Sequence, residues 1–275
     1  MSDPHLVMLG CGRMGAALLS QWLATGAWKH DVTVVKPTPA LPDGLGNHRK
    51  IHWVADLESL PAHTLPSVVV LAVKPQTLAE TLPLCASLLG NTLPYLTIAA
   101  GRRIRFYQEH LGAGVRLVRV MPNTPCFIGM GMTALHASAT ASESDTDLAE
   151  ALMRAVGETT WLSSEDSMDI ATAISGSGPA YVFYFMECLI SAAIEMGLDE
   201  QTSRLLVVQT LHGSSELAYL TGEPLAKLRQ DVSSPGGTTE AALSHLMHPS
   251  GQLRLMYDAV QAALQKAREI AASAQ

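Results

Sequence analysis

Cysteine is sparse in this sequence and never clustered: Cys11, Cys85, Cys126 and Cys188 lie far apart, and no CxxC pair occurs. That spacing excludes the common zinc motifs and a disulfide framework, and it points to a reducing cytoplasm. Charge is also scarce. Charged residues make up 16% of the 275 positions against 48% hydrophobic, which excludes a disordered chain. The length suits one or two domains with a real core. Basic patches are missing as well. Residues 1–162 balance 12 Lys+Arg with 12 Asp+Glu, whereas residues 163–275 hold 6 against 13, so the whole formal charge of −7 falls in the second part. Without a basic stripe for phosphates, nucleic acid is excluded as a partner. The same step in composition sets an expected domain boundary at residue 162, giving domains 1–162 and 163–275.

Other absences narrow the reading further. Met1-Ser2-Asp3-Pro4 brings no basic residue ahead of the first apolar run, so no signal peptide is expected. The most apolar stretch, Ala180–Met196, carries Glu187 and Glu195 and opens after Pro179, which fits a buried or interface helix better than a membrane span. His245 and His248 are three apart, but no Cys or carboxylate completes a ligand set, so no metal site is expected. No Ser-His-Asp order can be assembled either.

What is present begins with a short apolar strand, His5–Gly10, followed at once by Gly10-Cys11-Gly12-Arg13-Met14-Gly15 and a helical pattern over Ala16–Ala24. This is G-x-G-x-x-G in the strand–turn–helix context that a dinucleotide requires. The first glycine makes the tight turn, the second lets a pyrophosphate approach the backbone, and the third lets helix pack on strand. A second strand, Asp31–Val35, follows. NAD-binding versions of the motif place an acid after this strand to hold the ribose 2′-hydroxyl. Here the chain reads Val35-Lys36-Pro37-Thr38-Pro39 with no carboxylate. Lys36 is then either an ordinary solvated lysine or, with Thr38 and the nearby Arg13, a receptor for a 2′-phosphate. The missing acid favours NADPH over NADH.

Further strands are expected over Ile51–Val54, Val68–Val73, Tyr95–Ala99, Val115–Val120, Met132–His136 and Thr159–Leu162, with helices over Gln76–Leu88 and Leu148–Val156 and a loop over Ala139–Asp147. Val68–Val73 is uniformly apolar, as a parallel strand buried on both faces should be. Three strand ends carry small or turn-forming residues: Ala72-Val73-Lys74-Pro75, Ala100-Gly101, and Met121-Pro122-Asn123-Thr124-Pro125. Ligands of open α/β sheets lie along strand C-termini, which makes these residues, Lys74 and Asn123 above all, site candidates. Asn123 would serve equally well as a turn-maker. The expected class is therefore a Rossmann-type α/β domain with a mostly parallel, doubly wound sheet.

After Ser163 the strand signals stop. Helical pattern runs over Asp166–Ile174, Ala180–Met196, Glu200–Leu220, Pro224–Val232 and Gly251–Ala271. An all-α part this rich in Ala, Leu and Met, with few charges on its longest helix, reads as an oligomer interface. Within it lies Ser233-Ser234-Pro235-Gly236-Gly237-Thr238-Thr239. Pro235 stops one helix, the glycines permit an unusual backbone, and a threonine opens the next helix. A run of small residues with amides at a helix N-terminus binds an anion or forms a plain helix–turn–helix corner.

Taken together, these stretches resemble the pyrroline-5-carboxylate reductase family. The resemblance rests on Gly10–Gly15, Ala72–Pro75, Met121–Pro125, Gly176-Ser177-Gly178-Pro179-Ala180-Tyr181-Val182 and Val232–Thr239, in the family's order over nearly the whole chain. The first piece is shared with countless dinucleotide-binding proteins, and the last is close to unique to this family. The resemblance implies an NAD(P)H-dependent imine reductase that makes proline in the last step of its biosynthesis. It also implies a Rossmann domain, a helical C-terminal dimerisation domain giving a homodimer or larger homo-oligomer, and an active site between the two. Cofactor contacts would come from Gly10, Cys11, Gly12, Arg13, Met14, Gly15, Lys36, Thr38, Ala72, Val73, Lys74, Pro75, Ala100, Gly101 and Asn123. Substrate contacts would come from Val232, Gly236, Gly237, Thr238 and Thr239, with the carboxylate on the amides of Gly237, Thr238 and Thr239 and the ring nitrogen near the catalytic Thr239 hydroxyl. One departure is Leu228-Arg229-Gln230-Asp231, where relatives more often read Leu-Lys-Asp; it touches only local helix contacts.

The chemistry implied asks little of acids and bases. A cyclic imine accepts hydride readily once its nitrogen carries a proton, and solvent can supply that proton, so positioning carries the catalysis. Hydroxyacid dehydrogenases of related architecture carry a catalytic lysine after glycines like Gly176 and Gly178. Here no lysine occurs between Lys74 and Lys227, which argues against that reaction.

Overall fold

The computed structural model describes residues 4–38, 45, 48–61 and 64–272. Met1–Asp3 and Pro39, which enter the sequence reading above, lie outside them. Eight strands form one sheet: β1 (Leu6–Leu9), β2 (Val32–Val35), β3 (Ile51–Val54), β4 (Val68–Leu71), β5 (Pro94–Thr97), β6 (Arg116–Met121), β7 (Gly131–Ala137) and β8 (Gly157–Trp161). Their spatial order is β3-β2-β1-β4-β5-β6-β7-β8. Neighbours run parallel except β6 and β7. Between β1 and β4 the winding reverses direction, and such a switch point opens a crevice beyond the strand C-termini.

Successive side chains of a strand face opposite ways, so a strand covered on both faces must be apolar at every position. β1 and β4 follow that pattern strictly, β2 and β5 carry one threonine each, Thr33 and Thr97, and all four strands are buried throughout. Leu6 and Met8 enter one core with Leu18, Leu19 and Trp22 of helix α1 (Arg13–Thr25) and Leu152 and Met153 of α4 (Glu143–Arg154). Val7 and Leu9 enter the other, with Leu78 and Leu82 of α2 (Leu78–Leu88) and Tyr107 and Leu111 of α3 (Ile104–Leu111). A buried polar atom is costly without a partner, and two buried hydrogen bonds meet that demand within these cores. The Trp22 indole donates to the Leu152 carbonyl at 2.8 Å, and the Thr97 and Tyr107 hydroxyls meet at 2.7 Å.

Two elements differ from the sequence expectation. Helix α3 has no counterpart there, because Arg102, Arg103 and Arg105 mask its apolar positions Ile104, Tyr107 and Leu111. Helix α4 starts at Glu143, inside the expected loop 139–147. The Ser142 side chain meets the backbone of Asp145 while the Asp145 carboxylate returns to the Ser142 amide, a capping box that turns a Ser/Asp-rich run into a helix start.

The chain forms two compact units, Met1–Ser177 with Ala263–Gln275, and Gly178–Ala262. This division falls later than the step in composition at residue 162. Helix α5 (Asp166–Ala171) stays with the sheet because ion pairs hold it there: Arg119 with Glu165 at 2.7 Å, and Arg103 with Asp166 at 2.6 Å and Asp169 at 3.4 Å.

The second unit is helical: α6 (Gly178–Glu195), α7 (Glu200–Thr221), α8 (Leu225–Asp231), α9 (Thr238–Leu246) and the first half of α10 (Gln252–Ala272). α6 buries none of its residues and α7 only Ser203. Phe183, Tyr184, Leu205 and Leu220 each expose more than half of their surface. Large apolar residues exposed in such number call for a covering partner. The continuous helical run Asp166–Glu195 is long and apolar enough to cross a membrane by length and composition alone. Glu187 stands inside it.

Candidate active site

One candidate site is built where β1 ends. Gly10 adopts φ +78°, and a Cβ there would stand 2.8 Å from the Ala72 carbonyl oxygen and 2.9 Å from Val73. Only glycine fits that approach of the first turn to the end of β4. Gly15 seats α1 on the sheet, its missing Cβ lying 3.2 Å from that of Ala72. α1 starts from Gly12 with no side-chain cap and no acid in its first turn. Its opening amides and the positive end of its dipole are therefore available to an anion, as a pyrophosphate cradle requires.

A cleft of about 580 Å³ opens there. Gly10, Cys11, Gly12, Lys36, Ala72, Val73 and Lys74 line it, so the structure gathers these predicted residues in one place. Burial pushes the Cys11 thiol up from its ordinary value, with Lys36 pulling the other way, so Cys11 stays a thiol and not a nucleophile at neutral pH. Asp56, Glu58 and Glu80 also line the cleft and were not foreseen. The signal for the first two was their place just after β3, which pairs with β2 through Val35 and Val54 and so brings them alongside Lys36. Asp56 turns inward to its own loop, accepting from the Ser59 amide at 2.8 Å and the Ser59 hydroxyl at 2.5 Å.

The remaining predicted cofactor residues lie outside that lining. Arg13 and Thr38 are exposed and Ala100 is half-buried. The Met14 sulfur lies 3.4 Å from the Cys126 thiol. Pro75 gives its carbonyl to Arg102 at 3.1 Å. Gly101, at φ +75°, packs against α10, where a Cβ would come within 2.4 Å of Ile270. The Asn123 amide donates to the Ser175 carbonyl at 3.1 Å and accepts from the Met132 amide at 2.9 Å, so its side chain serves the turn between β6 and β7.

A second candidate site, in the helical unit, is the loop between α8 and α9. The Ser233 hydroxyl donates back to the Arg229 carbonyl at 2.6 Å and closes α8. Val232 stands exposed. Gly236 takes φ +72°, and its amide donates to the Glu240 carboxylate at 2.7 Å. Gly237 is extended, at φ −85° and ψ 171°, and its amide donates to the Ser234 carbonyl at 3.0 Å. Gly237 therefore contributes the turn and not a spare donor, which corrects the expectation that its amide points at an anion. Thr238 and Thr239 open α9, where helix amides have no intrahelical acceptor. Among the described residues the hydroxyls of Thr238 and Thr239 meet no hydrogen-bond partner.

A family model for pyrroline-5-carboxylate reductase dimerisation matches residues 165–270, and one for NADP oxidoreductase, coenzyme F420-dependent, matches residues 5–93. The pyrroline-5-carboxylate reductase of Vibrio alginolyticus is 36% identical over 272 residues, covering 98% of both chains. The chain belongs to the pyrroline-5-carboxylate reductase family. It is an NAD(P)-dependent oxidoreductase of proline biosynthesis. The solved pyrroline-5-carboxylate reductase of Coxiella burnetii is similar with a TM-score of 0.89 and 35% identity, over 98% of this chain and 99% of that one. The Plasmodium falciparum enzyme, solved with NADP bound, gives a TM-score of 0.83 and 31% identity over the same shares. Residues 5–93 thus belong to an NADP-binding domain, and residues 165–270 make a homo-oligomer.

Proposed function

We propose that this reductase uses NADPH in preference to NADH and holds the carboxylate of pyrroline-5-carboxylate on the opening amides of α9. The observation that carries the substrate half is the α9 N-terminus. There the amides of Gly236 and Gly237 are engaged in the loop, while those of Thr238 and Thr239 have no helical acceptor. The helix dipole adds to their pull on an anion. Thr239, whose hydroxyl is unengaged among the described residues, takes the ring nitrogen and relays a proton to it. Gly236, Gly237 and Val232 shape the loop.

The cofactor half is supported by the glycine cradle and by the cleft beside it. Gly10–Gly15 would hold the pyrophosphate. Lys36 and Thr38, with Arg13, would hold the 2′-phosphate, since no acid follows β2. Ala72–Pro75, Ala100, Gly101 and Asn123 would offer main chain along the strand ends. When bound, the reduced nicotinamide supplies the hydride. The protein's own part is to orient, to exclude water and to hold the nitrogen, which suits a site without His, Cys or carboxylate in a catalytic role.

The exposed apolar residues of α6 and α7 support a homodimer or a larger homo-oligomer. Four free cysteines and the absence of a basic stripe support a cytoplasmic enzyme that works without nucleic acid or membrane.

Thr238→Pro tests the carboxylate assignment. Proline suits the first position of a helix, and the extended Gly237 before it is compatible, so the exchange removes one N–H and leaves the loop intact. Losing a hydrogen bond to a charged group should raise KM for pyrroline-5-carboxylate by about tenfold or more, with KM for NADPH unchanged. An unchanged KM for pyrroline-5-carboxylate contradicts the assignment.

A further inference from the structure

We infer that Glu240 is a positioning residue that sets which amides of the loop are left for the substrate; the inference rests on the carboxylate assignment made above. Glu240 is the third residue of α9 and the one acid in its first turn. At that position a glutamate commonly reaches back to the amide of the residue just before the helix. Here that amide, of Gly237, is already taken by the Ser234 carbonyl at 3.0 Å. The Glu240 carboxylate goes one residue farther and accepts from Gly236 at 2.7 Å.

Two consequences follow from this shift. Gly236 sits in the left-handed region, at φ +72°, where glycine has wide freedom on either side. The tether to Glu240 fixes one of those conformations and so fixes the approach to α9. The second consequence is chemical. Gly236, Gly237, Thr238 and Thr239 offer four successive N–H groups near one helix end, and each can bind a carboxylate. Glu240 places a carboxylate of the protein's own on the first of them, and Ser234 occupies the second. A substrate carboxylate is left with Thr238 and Thr239, the register that brings the ring nitrogen to the Thr239 hydroxyl. Without Glu240, the Gly236 amide competes for the substrate and draws it out of that register. Glu240 is exposed and makes no ion pair among the described residues, so the fold does not otherwise depend on it.

Steady-state kinetics of Glu240→Ala and Glu240→Gln in the intact oligomer test this, with Thr238→Pro in parallel. Alanine is a good helix residue and removes the acceptor, so kcat/KM for pyrroline-5-carboxylate should fall about tenfold or more while KM for NADPH, Tm and oligomeric state hold. Glutamine keeps an oxygen that accepts the same N–H, and should stay within about threefold of the parent enzyme. A Glu240→Ala enzyme with parent kcat/KM overturns the inference. So does a glutamine variant as impaired as the alanine one, or a loss that appears equally in KM for NADPH and in Tm. If Thr238→Pro lowers kcat/KM while Glu240→Ala does not, only the role of Glu240 falls. If Thr238→Pro is silent, the carboxylate assignment falls and takes Glu240 with it.

Discussion

The Gly237 amide donates to the carbonyl of Ser234 at 3.0 Å, inside the turn that leads into α9. Thr238 is thus the first residue of the loop whose amide is left without an acceptor, and Thr239, the residue proposed to hold the ring nitrogen, follows it. Thr239→Val keeps the shape and removes a hydroxyl that has no partner among the described residues, so stability should hold. Loss of one directed hydrogen bond in the transition state should lower kcat by about one to two decades, through roughly 1–3 kcal/mol. More NADPH should not restore the rate, and Thr238→Val should do less. Equal behaviour of the two valine variants, measured at saturating NADPH, removes the hydroxyl role from Thr239.

Lys36 lines the same cleft as Gly12, beyond the end of β2. Replacement by alanine should lower kcat/KM for NADPH by about tenfold, as the loss of a charge-assisted hydrogen bond would, and change the NADH value little. Asp56 and Glu58 share the cleft, so the remaining charge there is negative and should disfavour a 2′-phosphate still more. Equal losses with both cofactors place Lys36 outside the 2′-phosphate site.

Asp145 links α4 to β6 through Arg116, whose Nε donates to it at 2.8 Å. Burial pushes the Asp145 carboxyl up, but hydrogen bonds from Arg116 and Ser142 outweigh it and hold the carboxyl below its ordinary value. A depressed folded-state value means that the stabilisation is fully present above the unfolded carboxylate value of about 3.9 and is lost as pH falls through the folded one. Thermal unfolding followed from pH 7 towards pH 3 should show Tm falling more steeply in the parent enzyme than in Asp145→Asn, which starts lower. Parallel curves refute the role of this pair.

Leu189 lies on α6, a helix that buries none of its residues within the chain. A lysine there should meet the covering subunit as an unpaired charge, and breaking such a contact is strongly destabilising. Leu189→Lys should lower the oligomeric state in analytical ultracentrifugation by a factor of about 100 or more in dissociation constant. An oligomer as tight as the parent's places α6 outside the interface.

The strand–turn–helix of Gly10–Gly15 was legible because it is local: the glycines, the apolar strand before them and the helical pattern after them need no distant contact. The loop Ser233–Thr239 was legible for the same reason, with a threonine opening α9, though which of Thr238 and Thr239 does so was left to the structure. What sequence could not give depends on partners remote in the chain. Arg103, an apparent surface residue, turns out to hold Asp166 and Asp169 and so keeps α5 with the sheet. Asn123 looks like a ligand at a strand end, yet its side chain bonds Ser175 and Met132. Asp56 and Glu58 reach the cleft beside Gly10 and Gly12 through the β2–β3 pairing, which no pattern in one strand announces. The start of α4 was the exception, a local signal passed over: Ser142 and Asp145 have the spacing of a capping box.

The carboxylate at the α9 N-terminus is tested most directly by comparing pyrroline-5-carboxylate with 1-pyrroline, the same ring without the carboxylate. The ratio of their kcat/KM values with NADPH is to be measured in the parent enzyme and in Thr238→Pro. The parent enzyme should favour pyrroline-5-carboxylate by about two decades or more, because two charge-assisted hydrogen bonds are made with one substrate and not the other. Thr238→Pro should shrink that ratio by about tenfold and leave the rate with 1-pyrroline nearly unchanged. The same ratio in both proteins would show that the Thr238 amide does not hold the carboxylate.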